Sequence, residues 1–123
     1  MTLVEVIFAI VILSGAMLGL GNFTRKFQSA NAGSTSKTLA SDLAAQRIAE
    51  VQAFRTYTSI VSTYHGNSEV YSAGAYAGLT RNTYVVWCTS CPTATNDYVT
   101  VTVSVSGNDL PAAVKKTVVI AAF

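Results

Sequence analysis

An apolar N-terminal run of bilayer-spanning length most restricts what this chain can become. The first 21 residues are almost entirely apolar, and from Val6 to Gly21 the one polar side chain is Ser14. A helix needs ~20 such residues, at ~1.5 Å rise each, to cross a bilayer. One carboxylate, Glu5, stands in the run. An ionised carboxylate in that position is costly unless it finds a partner. No Lys, Arg or His precedes Arg25, so no basic side chain is close in sequence. The remaining cation is an N-terminal amine. A straight helix holds its own amine poorly for this purpose, so the amine of a neighbouring copy is the better partner. The feature points to self-assembly.

Met1-Thr2-Leu3-Val4-Glu5-Val6, followed by the apolar run, resembles the mature N-terminus of type IV pilins and type II secretion pseudopilins. The likeness covers residues 1 to about 25, with Met1 where Phe is common. It implies that a short basic leader is removed just before Met1 and that a leader peptidase/N-methylase methylates the new N-terminus. It also implies that Met1 and Glu5 are the assembly residues, Glu5 meeting a neighbour's N-terminus in the filament. The implied partners are identical subunits and the pilus assembly machinery. The implied location is an inner-membrane pool, then an extracellular pilus on the bacterial cell surface. The plainer alternative is a signal anchor whose Glu5 lies near the headgroups.

Charge placement bears on orientation. The membrane-flanking cations, Arg25 and Lys26, lie on the C-terminal side of the run. Taken alone, they would keep the remainder of the chain in the cytoplasm. A removed basic leader reverses that balance and places residues 27 onward outside. Met1 as an initiator remains the other reading.

Of the 123 residues, those after the run suffice for one small domain. Half of all residues are hydrophobic and 11% are charged, with a net charge of +2 and no Lys/Arg stripe. Nucleic-acid binding is not indicated, and no cofactor is implied.

Three segments are expected: a hydrophobic helix over 1–24, an amphipathic helix over 25–56, and a head over 57–123. The two helical segments form one helix of roughly residues 2 to 55, ~80 Å if straight. Its second half carries Ala40, Leu43, Ala44, Ile48, Val51 and Phe54 on one face, with Lys37, Asp42, Gln46 and Glu50 opposite. That stripe should pack on the head. Gly15, Gly19 and Gly21 weaken the helix by ~1 kcal/mol each, and Gly33 is a second weak point. In the resembled family a corresponding segment often loses helix on assembly, which makes these three glycines a candidate melting segment. The competing reading is close helix packing through small residues.

Residues 56–80, rich in Ser, Thr, Tyr, Gly and Asn, show no clear period and are expected to form a loop with one short strand near Glu69-Val70-Tyr71. Thr83 to Cys88 is a candidate strand. Tyr98 to Ser106 alternates strictly, with Val99, Val101, Val103 and Val105 facing one way and Thr100, Thr102, Ser104 and Ser106 the other. Gly107 to Pro111 turns the chain, and Val114 to Ile120 returns. The expected fold is α+β, with a long N-terminal helix packed on a small antiparallel sheet of three or four strands, as in pilins.

Cys88-Thr89-Ser90-Cys91 has the C-x-x-C spacing of redox sites and of half a zinc ribbon. Two thiols and the lone His65 do not make a four-ligand zinc site. A thioredoxin-like site needs the first Cys at a helix N-terminus, whereas this pair follows a strand and precedes Pro92. Outside the cytoplasm, a structural disulfide closing a tight turn is the expected state. His65 is expected on a surface loop, and Phe23 and Phe27, one turn apart, between subunits. No residue is assigned a catalytic role.

Three functions follow. The first is a filament subunit; the second is a minor pilin or pseudopilin that primes or tips a filament. The third is a membrane-anchored thiol oxidoreductase using Cys88 and Cys91. Adhesion, motility, DNA uptake and secretion are the downstream activities of such filaments, and nothing in the residues chooses among them.

Overall fold

The computed structural model describes residues 2–88 and 97–122. It is an α+β fold: an N-terminal helix α1 (Leu3–Gln52), a 3-10 turn (Tyr57–Ser59), a short helix α2 (Ile60–Tyr64) and four strands. The strands are β1 (Asn67–Val70), β2 (Leu79–Trp87), β3 (Tyr98–Gly107) and β4 (Val114–Ala121). They form one antiparallel meander in the order β1-β2-β3-β4.

The chain divides into two compact units, residues up to Ser34 and from Thr35 onward. The first is helical from Leu3 onward and every side chain from Thr2 to Ala32 is exposed. α1 runs without a break through Gly15, Gly19, Gly21 and Gly33. It ends at Gln52, a few residues before the expected end, with Ala53 N–H on Ala49 O at 3.0 Å and a tighter, three-residue turn closed by Phe54 N–H on Val51 O at 3.2 Å. Phe54 then leaves the helix direction and meets the Tyr64 ring edge-on, 5.4 Å between centroids.

In the second unit the α1 stripe of Ala40, Leu43, Ala44 and Val51 is buried, with Ile48 half-buried, against the inward face of the sheet. That face is built by alternation. Leu79, Thr83 and Val85 of β2 and Val99, Val101, Val103 and Val105 of β3 are buried, while the intervening residues turn to the other side. Burial of each such aliphatic side chain contributes ~1.5–3 kcal/mol. The opposite helix face, Lys37, Asp42, Gln46 and Glu50, stays exposed.

The connection between helix and sheet corrects the sequence reading. Residues 56–66 were expected to be loop, but Tyr57, Ile60, Val61 and Tyr64 stand at helical spacing and form the 3-10 turn and α2. Tyr57, Ile60 and Tyr64 are buried in the core. The polar residues between them hide a short period that only tertiary burial makes stable. β2 also begins at Leu79, four residues before its expected start, because Thr80, Arg81 and Asn82 pair with β1 on one side and β3 on the other. Gly78 permits the turn into β2 with φ +84°. Its carbonyl lies 2.9 Å from where a Cβ on Gly107 would sit, so both glycines are needed where these strand ends close.

Candidate functional site

Two features stand out, one in each unit. In the first unit, α1 presents an unburied apolar surface. Leu3 is 78% exposed and Phe8 65%, and the exposed set continues through Leu20 to Phe23 and Phe27. Among the described residues of this unit it is uncovered, although water-soluble surfaces rarely leave so much apolar area open. The helix is long and apolar enough to cross a membrane.

Glu5 is the one charged side chain on this surface before Arg25. It sits in the first turn of α1, where the unpaired helix N–H groups favour a negative charge. The Thr2 main-chain N–H donates to Glu5 Oε2 at 3.4 Å, and the Glu5 N–H returns to Thr2 O at 3.0 Å. That reciprocal pair holds the carboxylate at the helix tip. Met1, the other expected assembly residue, lies outside the described residues. The Ser14 hydroxyl donates to Ile10 O at 2.7 Å and the Thr24 hydroxyl to Leu20 O at 2.9 Å, so both are satisfied within the helix. Phe23 and Phe27 stack at 6.3 Å between centroids.

In the second unit a charged cluster lies between α1 and the sheet. Arg47 projects from the buried stripe of α1, and Arg81 from the inward face of β2. Both hydrogen-bond Glu69 of β1, which the β1–β2 register sets opposite Arg81. Arg81 Nε donates to Glu69 Oε2 at 2.8 Å, Arg81 Nη1 to Leu43 O at 3.2 Å, and the Tyr71 hydroxyl to Glu69 Oε2 at 3.1 Å. Arg47 Nη1 also pairs with Glu50 at 3.1 Å. The guanidinium of Arg47 lies 5.5 Å from the Tyr64 ring centroid and that of Arg81 5.6 Å from the Tyr71 ring. Burial alone would push the Glu69 carboxyl up, but hydrogen bonds from Arg47 and Arg81 outweigh it and bring it to about 2. The cluster ties helix to sheet. It supplies no nucleophile and no poised general base near neutral pH.

These residues were not singled out from sequence. Arg47 falls on the apolar stripe, four residues after Leu43 and before Val51, and that placement is the signal for a buried, paired cation. Arg81 alternates with Leu79 and Thr83 in the same way. On the exposed face of α1, Tyr76 donates to Asp42 Oδ2 at 2.5 Å and Gln46 Nε2 donates to the Tyr76 hydroxyl at 2.9 Å.

The remaining candidates are placed as follows. Cys88 follows β2, its N–H donating to Tyr98 O at 3.0 Å. Cys91 lies outside the described residues, and with it the expected Cys88–Cys91 bridge and any thiol chemistry of the pair. His65 is exposed after α2, with Nδ1 2.7 Å from Val85 O. Its imidazole thus occupies the place of a next β1 residue beside β2. Among the described residues no three His, Cys, Asp or Glu side chains gather as a metal site.

The fold defines an α+β protein with an exposed, membrane-length apolar helix. Comparison with protein-family models, with curated proteins and with solved structures returns no match.

Proposed function

We propose that this chain is a structural, non-enzymatic subunit of a type IV pilus-like surface filament. The observation that carries the reading is the apolar surface of α1 from Leu3 to Phe27, with Glu5 held at its tip as the one carboxylate. Such a surface needs either lipid or other apolar helices around it, and a filament subunit meets both in turn. In the inner membrane the helix lies in hydrocarbon; in the filament, copies of itself replace the lipid. The pairing of Glu5 with the N-terminus of a neighbour sets the stagger between subunits. The second unit then forms the outward head, held to its helix by the buried stripe and the Arg47–Glu69–Arg81 cluster. A minor pilin or a type II secretion pseudopilin uses the same parts, and abundance separates these roles from a major subunit.

The test is Glu5→Ala in the native cell. Membrane insertion should be unchanged and the amount of sheared filament should fall by at least ~10-fold, the effect of losing a desolvated ion pair of ~1.4 kcal/mol or more. Normal assembly of the alanine variant refutes the role of Glu5. Mass spectrometry of the sheared surface fraction supplies the second readout. An N-methylated Met1 in the dominant protein supports a major subunit. Retention in the membrane with an unmodified start refutes the filament reading.

A further inference from the structure

Arg25 and Lys26, the two cations of the first unit, stand without a counter-charge. Both are exposed, and among the described residues neither forms an ion pair. Along the sequence no carboxylate occurs between Glu5 and Asp42. Their position on α1 matters as much as their charge. The uncharged stretch from Val6 to Thr24 is ~28 Å long at ~1.5 Å per residue. The hydrocarbon core of a bilayer is ~30 Å thick. A bilayer registered on that stretch puts Glu5 at one headgroup level and Arg25 with Lys26 at the other. No charge is then left in hydrocarbon.

We propose that Arg25 and Lys26 bind the phosphate groups of anionic phospholipids, in the leaflet where α1 leaves the bilayer. The inference deepens the filament reading and rests on its membrane-resident stage alone. Adjacent helical positions lie ~100° apart, so the two cations fan over one flank. By the same spacing, the stacked Phe23 and Phe27 lie on the side opposite Arg25 and stay with the acyl chains. The Cα–Cβ bonds of a helix lean toward its N-terminus, here back over the apolar surface. The aliphatic stems of Arg25 and Lys26 therefore cover that surface while their charged ends turn up to the headgroups. Arg25 offers a planar fork for two phosphate oxygens, and Lys26 a compact ammonium. The neighbouring Thr24 hydroxyl is already committed to Leu20 O, which leaves the cations to make the contact. The level selects the occupant. Acyl chains surround the helix below it, so a lipid phosphate is the first anion these side chains reach. A zwitterionic lipid brings its own cation with that phosphate; an anionic lipid leaves its charge for the protein.

The experiment uses the full chain in phosphatidylcholine vesicles carrying a trace of spin-labelled lipid. Labelled phosphatidylglycerol should be enriched around the helix over labelled phosphatidylcholine by roughly 5-fold or more. The double variant Arg25→Gln, Lys26→Gln should lose that preference, whereas Lys37→Gln, in the second unit, should keep it. Unchanged Trp87 emission verifies that the head is folded in each variant. Brominated lipids locate the helix, with the Trp87 signal of the unsubstituted chain subtracted. Met17→Trp should be quenched best by bromines deep in the acyl chains, and Phe27→Trp by bromines near the glycerol. Deep quenching of Met17→Trp with no phosphatidylglycerol preference overturns the lipid site and leaves the filament reading standing. A preference that survives the double variant, or that Lys37→Gln removes, likewise overturns it. Absence of quenching at both positions overturns this inference and the filament reading together.

Discussion

Replacing Glu69 with glutamine asks how firmly the sheet grips its helix. The side chains of Arg47 and Arg81 are 4% and 9% exposed, so both guanidiniums depend on the partners they have. After the change Arg47 keeps Glu50, whereas Arg81 keeps, among the described residues, Leu43 O, the Tyr71 ring and the neutral amide oxygen of the glutamine, with no counter-charge. Removing one member of a buried ion pair costs about 3–5 kcal/mol. The carboxyl itself, lowered from 4.5 to about 2, would by linkage be worth about 3 kcal/mol if fully shielded. Glu69 is 35% exposed, and solvent screening reduces that value. The expected loss is therefore about 2 kcal/mol at pH 7. The sign follows from the depressed pKa. The stabilisation is complete above the unfolded carboxyl's range near 4.5 and is lost as pH falls toward about 2. Urea unfolding of the full chain in detergent, followed through Trp87 fluorescence from pH 7 to pH 2.5, measures both effects. Wild type should lose stability over the acid range, and Glu69→Gln should start lower and show a flatter slope. A variant within about 0.5 kcal/mol of wild type at pH 7, with the same acid slope, would refute the buried-cluster argument.

Three further outcomes can be read in the same unfolding assay. The Thr83 hydroxyl is buried with no hydrogen-bond partner among the described residues. Thr83→Val should therefore stabilise by about 1 kcal/mol, and a lowered melting temperature would contradict this. Leu43 is 1% exposed at the centre of the helix–sheet contact. Leu43→Ala should cost about 3–4 kcal/mol, and a loss below about 1 kcal/mol would place the core elsewhere. Gly78 has φ +84°. Gly78→Ala should cost about 1–2 kcal/mol through backbone strain alone, and an unchanged midpoint would show that the turn relaxes.

The elements easiest to read from sequence were those whose period is both long and pure. Val99 to Val105 alternates over a full strand, and the α1 stripe from Ala40 to Val51 repeats over three turns, so each named its own buried face. The missed parts share a cause. The 3-10 turn and α2 are too short for the Tyr57–Ile60–Tyr64 spacing to rise above the surrounding Ser and Thr residues. Arg47 and Arg81 occupy core positions, but residue type argues for the surface when no partner is visible. That partner, Glu69, lies in another strand and is brought opposite Arg81 only by the β1–β2 register. Burial of a charge is a property of three distant positions at once, and no local window contains it. Glu5 stands out in the sequence for the opposite reason: its surroundings are local and almost uniformly apolar.

The Ser14 hydroxyl, closed onto Ile10 O, has a consequence for how the apolar helix meets its surroundings. From Val6 to Gly21 it is the one polar side chain, and its hydrogen is already spent within its own backbone. The flank of the helix therefore asks nothing directional of whatever touches it. Acyl chains and neighbouring side chains are interchangeable solvents for it, separated only by how closely they fit. In the filament we propose, selectivity is left to a single point, the carboxylate at the tip, which works as an address on an otherwise unlettered rod.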